Sequence, residues 1–154
     1  MSILKLLVFA RTEGIHHGYA GQEKFIADML SQSGGISADF ERNYQTLANS
    51  LDDYDALLFY TDIGELTSAQ EDNLLNFIKQ GGGSFELHTA AASFRKSEGY
   101  HDILNAFFND HSKYMDFTVN IIDHEDPITQ GLEDFVVTDE LYYLKWVGQQ
   151  LQDV

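Results

Sequence analysis

The sequence predicts a doubly wound α/β domain, a mostly parallel sheet with helices on both faces in three α/β/α layers. Three observations carry this. Two apolar runs, 3–9 and 55–60, have the continuous hydrophobicity of strands covered on both sides. Helical patterns follow each of them and stop at glycines, Gly34-Gly35 and Gly81. A third apolar run, 84–88, leaves the three glycines 81–83 and ends on His88, where small residues replace large ones. Strands alternating with helices in this way build parallel sheets with right-handed crossovers.

Taken in order, Ile3-Leu4-Lys5-Leu6-Leu7-Val8-Phe9 is the first strand and Ala10–Gly18 its polar, glycine-bearing loop. Phe25, Ile26, Met29 and Leu30 then recur at helical spacing, giving a helix over 20–32. Residues 36–50 are weakly patterned, with a short strand near Ile36–Phe40. After the 55–60 strand, Thr67-Ser68-Ala69-Gln70 has the spacing of a capping box, in which a Thr hydroxyl and a Gln side chain satisfy reciprocal backbone donors. It opens a helix over 67–80 whose buried stripe is Leu74, Leu75, Phe77 and Ile78, with Glu71 and Asp72 at the positive end of the helix dipole. Ile103, Leu104, Phe107 and Phe108 suggest another helix over 100–108, with His101 on its surface. Phe117, Val119 and Ile121 alternate with polar residues as in a half-buried strand, and Pro127 with Gly131 marks a turn. Late strands are expected at Phe135–Thr138 and Leu141–Val147, where Tyr142, Leu144 and Trp146 share a face.

At 154 residues the chain fits a single domain spanning 1–154. Hydrophobic content of 44% with 13% aromatic residues excludes a disordered chain. Nine Lys and Arg against 25 Asp and Glu give a net charge of −16, which repels nucleic acid and anionic membrane surfaces and otherwise serves solubility. With no cysteine there is no disulfide, thiolate metal site or thiol nucleophile. The apolar start reads as a buried strand and not a signal peptide, and no run approaches the ~20 residues that span a bilayer. A cytoplasmic location is the expectation.

In open parallel sheets the ligand crevice lies outside the carboxyl ends of the strands. The loop after the first strand offers Thr12 and His17, the end of the 55–60 strand Asp62, and the 84–88 strand His88. These should converge on one rim. Imidazoles with a carboxylate can act as general acid and base near neutral pH or hold a divalent metal such as zinc. A histidine at a strand end is also commonly just a hydrogen-bonded structural residue. The Asp139-Glu140 pair has the same two readings, catalytic carboxylates or solvated acids.

The motifs resemble, in the right order, those of ThuA-like (trehalose-utilisation) proteins of the class I glutamine amidotransferase-like, flavodoxin-like fold. They are Thr12-x-Gly14-x-x-His17, Tyr54-Asp55, Leu66-Thr67 with Gln70, Gly81-Gly82-Gly83 with Leu87-His88 and Ala90-Ala91, Phe108-x-x-His111, Pro127-Ile128-Thr129-x-Gly131-Leu132 and Asp139-Glu140-x-Tyr142. In related amidotransferases the position of His88 holds the nucleophilic cysteine on a strained strand-to-helix turn. Histidine there excludes thiolate glutaminase chemistry. The resemblance implies a role in carbohydrate metabolism, with His88 and Glu140 as candidate catalytic groups. Thr12, His17, Asp62, His111, Asp139 and Tyr142 are the candidate contacts to a small sugar or sugar derivative.

Three departures qualify the resemblance. Glu86 replaces a usual glycine, Asp126 stands where histidine is common, and the chain stops at Val154 where family members continue into a strand-rich tail. An uncovered sheet edge of that kind favours a homo-oligomer, and the same departures support an alternative, a non-catalytic binding or interaction domain.

Overall fold

Residues 3–11 and 20–148 are described by the structure, a computed structural model. The described residues divide into two compact units, one running to Phe107 and resuming at Trp146, the other comprising Phe108–Lys145.

The first unit is built on strands β1 (Leu4–Arg11), β2 (Ile36–Glu41), β3 (Ala56–Thr61) and β4 (Gly83–Glu86). They form one sheet in the order β2-β1-β3-β4, all parallel. Val8 pairs with Phe40 on one side and Leu58 on the other, so β1 is hydrogen-bonded along both edges. Side chains alternate across such a strand, and both sets here are apolar. Leu6, Val8, Ala10, Leu58 and Tyr60 face helix α1 (Ala20–Gln32), which contributes Ile26 and Leu30. Leu7, Phe9, Leu57 and Phe59 face helices α2 (Ser68–Lys79) and α3 (Glu98–Leu104), which contribute Leu74 and Tyr100. The predicted three-layer order is therefore present in this unit. Its centre is dry: Leu7, Val8, Phe9, Leu57 and Phe59 are all 0% exposed. Burying each such side chain contributes about 1.5–3 kcal/mol. Of the four apolar residues singled out in α1, Ile26 and Leu30 are buried, while Phe25 and Met29 stay exposed.

The capping box at the start of α2 is formed. The Gln70 backbone N–H donates to Thr67 Oγ1 at 3.3 Å, and the Thr67 N–H donates to Gln70 Oε1 at 2.8 Å. Gln70 also donates through Nε2 to the Tyr44 carbonyl at 2.7 Å. One residue thus caps the start of the helix and ties it to the 3-10 turn at Gln45–Ala48, which explains why the weakly patterned segment is ordered.

Two expectations change. Residues 106–108 are not helical: α3 ends at Leu104, Asn105 takes the left-handed conformation (φ 54°, ψ 14°), and strand β5 (Ala106–His111) follows. Asparagine tolerates that conformation better than most residues, and Phe107 and Phe108 at adjacent positions fit the two faces of a strand. His101 is half-buried instead of on the surface, its ring stacked on Phe107 at 5.1 Å.

The second unit holds most of the β5 ribbon with β8 (Tyr142–Trp146), and an antiparallel pair, β6 (Met115–Val119) with β7 (Phe135–Asp139). Phe117 lies opposite Val137 and Val119 opposite Phe135, which gathers the apolar side chains on one face. The turn containing Pro127 is held by the Asp126 carbonyl, which accepts from the Thr129 and Gln130 N–H groups at 3.1 and 2.8 Å.

Glu86 lies on β4, in alternation with Phe85 and with Ser84 on its own side of the strand. Burial raises its carboxyl pKa above the ordinary value, against the hydrogen bond from the Ser84 hydroxyl, which lowers it. A raised folded-state pKa means that the native protein binds this proton more tightly than the unfolded chain. The stabilisation is complete below the unfolded value of about 4.3 and is lost as pH rises through the folded value. Glu86→Gln is therefore expected to match the parent in melting temperature below about pH 4 and to exceed it at pH 7; a gap independent of pH would refute the burial argument. Thr67→Ala should cost about 1 kcal/mol, or about 2–4 °C in thermal unfolding. An unchanged melting temperature would mean that the α2 start does not depend on its cap.

Candidate functional site

At the carboxyl edge of the parallel sheet, β3 and β4 remain paired to the end. Phe59 lies opposite Glu86, and the Leu87 N–H donates to the Phe59 carbonyl at 2.9 Å. The chain then turns sharply. His88 has φ 55° and opens a 3-10 turn, His88–Ala92, and Phe94 just beyond it has φ 48°. Left-handed conformations at non-glycine residues cost on the order of 1–3 kcal/mol and persist only where surrounding packing over-determines them.

That packing is visible. Phe94 is 1% exposed, with its ring edge-on to Tyr44 at 4.7 Å and to Tyr100 at 4.8 Å. Tyr100 donates its hydroxyl to the Ala90 carbonyl at 3.2 Å. Burial first, then the neighbouring Glu86 and Tyr44, push its phenol pKa upward, so Tyr100 acts here as a neutral donor. The turn rests on a rigid aromatic layer while His88 itself is exposed. Glu86 does not prevent the strained conformation two residues later.

Polar groups in this region fall into two kinds. Thr61 Oγ1 and Ser93 Oγ, both on fully buried residues, share a hydrogen bond of 2.8 Å across 32 residues of sequence. Asp62 Oδ1 and Thr89 Oγ1 are shielded from solvent and have no hydrogen-bond partner among the described residues. Asp62, expected at this rim, is at the end of β3. Thr89, Ser93 and Phe94 were not singled out from sequence. Position 89 was legible only as the residue after His88, and the Thr61 to Ser93 pairing carries no local signal.

In the second unit, His111 ends β5 and does not cap a helix. Its Nδ1 lies 2.7 Å from the Ser112 carbonyl and 3.7 Å from Glu140 Oε2. A carbonyl can only accept, so Nδ1 carries the proton and the lone pair of the neutral ring falls on Nε2. Tyr142 and Phe108 flank the imidazole at 6.4 and 6.2 Å between ring centroids. Ser112 positions Glu140 indirectly: its N–H donates to the Leu141 carbonyl at 2.9 Å, and its Oγ accepts from the Leu141 N–H at 3.0 Å. Asp139 accepts from the Glu140 N–H at 2.8 Å, turning its carboxylate toward the backbone. The His111 and Glu140 side chains are 42% and 40% exposed, so their attraction is weak in free energy. The arrangement orients an imidazole more than it stabilises the fold.

Asp62 and His88 thus belong to the first unit, and His111, Asp139, Glu140 and Tyr142 to the second. Thr12 and His17 lie outside the described residues. Among the described residues no three His, Asp or Glu side chains are grouped so as to hold a metal ion.

A search among curated proteins finds none that matches this sequence. Among solved structures, the chain is similar to a ThuA-like protein from Bacteroides uniformis, with 19% identity and a TM-score of 0.74 over 93% of this chain and 62% of that one. It is similar to a ThuA-like protein from Parabacteroides merdae at 16% identity and a TM-score of 0.76, over 92% of this chain and 63% of that one. A glutamine amidotransferase from Thermotoga maritima shares 10% identity with a TM-score of 0.53, over 93% of this chain and 64% of that one. At these identities the likeness is one of fold, and the chain spans a little under two thirds of the length of each. The sequence profile of the ThuA family, described as trehalose utilisation, matches residues 5–153. With the parallel sheet, the turn at His88 and this match over nearly the whole length, the chain belongs to the ThuA family.

Proposed function

We propose that this protein binds a neutral sugar, trehalose or a related saccharide, at the carboxyl edge of its parallel sheet, with His88 as the residue that contacts it. The observation that carries the reading is the backbone of His88: an exposed imidazole is held at φ 55° where β4 ends, over a layer of buried aromatic rings. Strain of this kind concentrates at functional sites, where it presents a side chain that relaxed geometry would turn away. Family membership supports a carbohydrate as the ligand class. The net charge of −16 favours an uncharged polyol over a sugar phosphate. Imidazole titrates near neutral pH, which suits His88 to remove a proton from a sugar hydroxyl as a general base. A thiolate route like that of amidotransferases is closed to this chain, which contains no cysteine.

Calorimetric titration with trehalose, and with its component glucose, tests the reading. The parent protein is expected to bind one of them, and His88→Ala to weaken that binding at least about tenfold, the loss expected for a hydrogen bond of about 1.4 kcal/mol. The melting temperature should move by no more than about 2 °C, because the side chain is exposed. His88→Gly should lose binding equally while melting no lower than the alanine variant, since glycine accepts positive φ without strain. Equal affinity in the parent and the alanine variant would refute the role of His88, and no binding of either sugar by the parent would refute the ligand class.

A further inference from the structure

Beside His88, the carboxyl edge of the sheet contains two buried polar atoms that no group among the described residues satisfies. Thr89 is 4% exposed, and its hydroxyl oxygen is shielded from solvent with no hydrogen-bond partner among the described residues. Asp62, at the end of the neighbouring strand β3, has one carboxylate oxygen in the same condition. Buried polar groups are paired in the great majority of proteins, and an orphan at such a position calls for a reason.

Poor packing is not that reason, because hydroxyls in the same layer are well satisfied. Thr61 and Ser93, each 0% exposed, pair with one another at 2.8 Å, and Tyr100 reaches the Ala90 carbonyl at 3.2 Å. The unpaired atoms are instead those next to the exposed histidine and at the adjoining strand end. They differ chemically: a threonine hydroxyl can donate and accept, while an ionised carboxylate only accepts. A sugar presents hydroxyls that do both, so this ligand class has the hydrogen-bonding chemistry that each orphan lacks.

We infer that Thr89 is a ligand-contacting residue of the sugar site, its hydroxyl left unpaired by the described residues and completed by a hydroxyl of the bound saccharide, with Asp62 accepting from the same ligand. This rests on the reading of His88 given above and adds two contacts to it. The 3-10 turn that carries Thr89 is bracketed by the left-handed residues His88 and Phe94. The aromatic layer fixes the Phe94 end of the turn, so a ligand reaches the hydroxyl from the His88 end, where the side chain is exposed. The unliganded protein bears the desolvation of the two atoms, and binding recovers it. Affinity is thereby gained at the expense of stability.

That trade gives the test a signature a structural residue would not show. Thr89→Val keeps the shape and removes the hydroxyl. It is expected to melt about 2–4 °C higher than the parent while binding trehalose about tenfold more weakly. Thr89→Ser, which keeps a hydroxyl, should retain affinity within about threefold. Thr61→Val, which strands the Ser93 hydroxyl, should instead melt lower than the parent. A Thr89→Val protein that binds trehalose as tightly as the parent overturns this inference and leaves the role of His88 standing. A lower melting temperature for Thr89→Val also overturns it, because the hydroxyl would then be partnered, by an ordered water, before any ligand arrives. Failure of the parent to bind either sugar overturns both readings together. Should Thr89→Val fail to fold, the serine variant decides: a loss of trehalose affinity well beyond threefold, with the melting temperature kept, overturns the assignment to the hydroxyl, and retained affinity supports it.

Discussion

The stack of aromatic rings on one face of the parallel sheet is the interaction on which the candidate site depends. Phe9 on β1 stacks on Phe59 on β3 at 5.0 Å and 14°, and Tyr100 meets Phe59 edge-on at 5.7 Å and 75°. Offset and edge-to-face contacts of this kind add about 0.5–1.5 kcal/mol each to ordinary apolar burial, and they fix orientation as well as distance. A layer built from such contacts cannot yield locally without losing several of them. That rigidity holds two left-handed non-glycine residues within one short segment, and it converts core packing into a raised imidazole at the strand end.

The chemistry at that edge is a division of labour among polar side chains. Thr61 and Ser93 satisfy each other inside the core and lock the segment after the turn to β3. Among the described residues, the Asp62 and Thr89 oxygens at this edge have unmet hydrogen-bonding capacity. In the second unit a different device recurs in weaker form, a backbone carbonyl fixing the tautomer of His111 beside Glu140. The first device costs the fold the desolvation of two unpaired atoms, whereas the second uses a carbonyl at the end of β5 and costs it little.

The acidity of the chain fits the same picture. A net charge of −16 repels anionic groups at long range and leaves neutral molecules unaffected. Lys24 with Asp28 and Lys96 with Glu65 form ion pairs at exposed positions, where solvent screening leaves them little weight in stability. The fold is held by apolar layers, and charge acts on solubility and on which ligands approach.

What the sequence determined by itself was whatever depends on neighbours in the chain. The continuous apolar runs at 3–9 and 55–60 pointed to strands covered on both faces, and the Thr67 to Gln70 box to the start of a helix. The family resemblance, carried by short motifs in order, was legible for the same reason. Tertiary structure decided what depends on residues far apart. Ile103, Leu104, Phe107 and Phe108 satisfy a helical period, yet the left-handed Asn105 divides them between α3 and β5. The half-burial of Glu86, the partnership of Thr61 with Ser93 and the positive φ of His88 follow from packing that brings separate elements together. Local pattern specifies which face of an element is apolar. Which polar atoms on it end with a partner is decided only when the layers close.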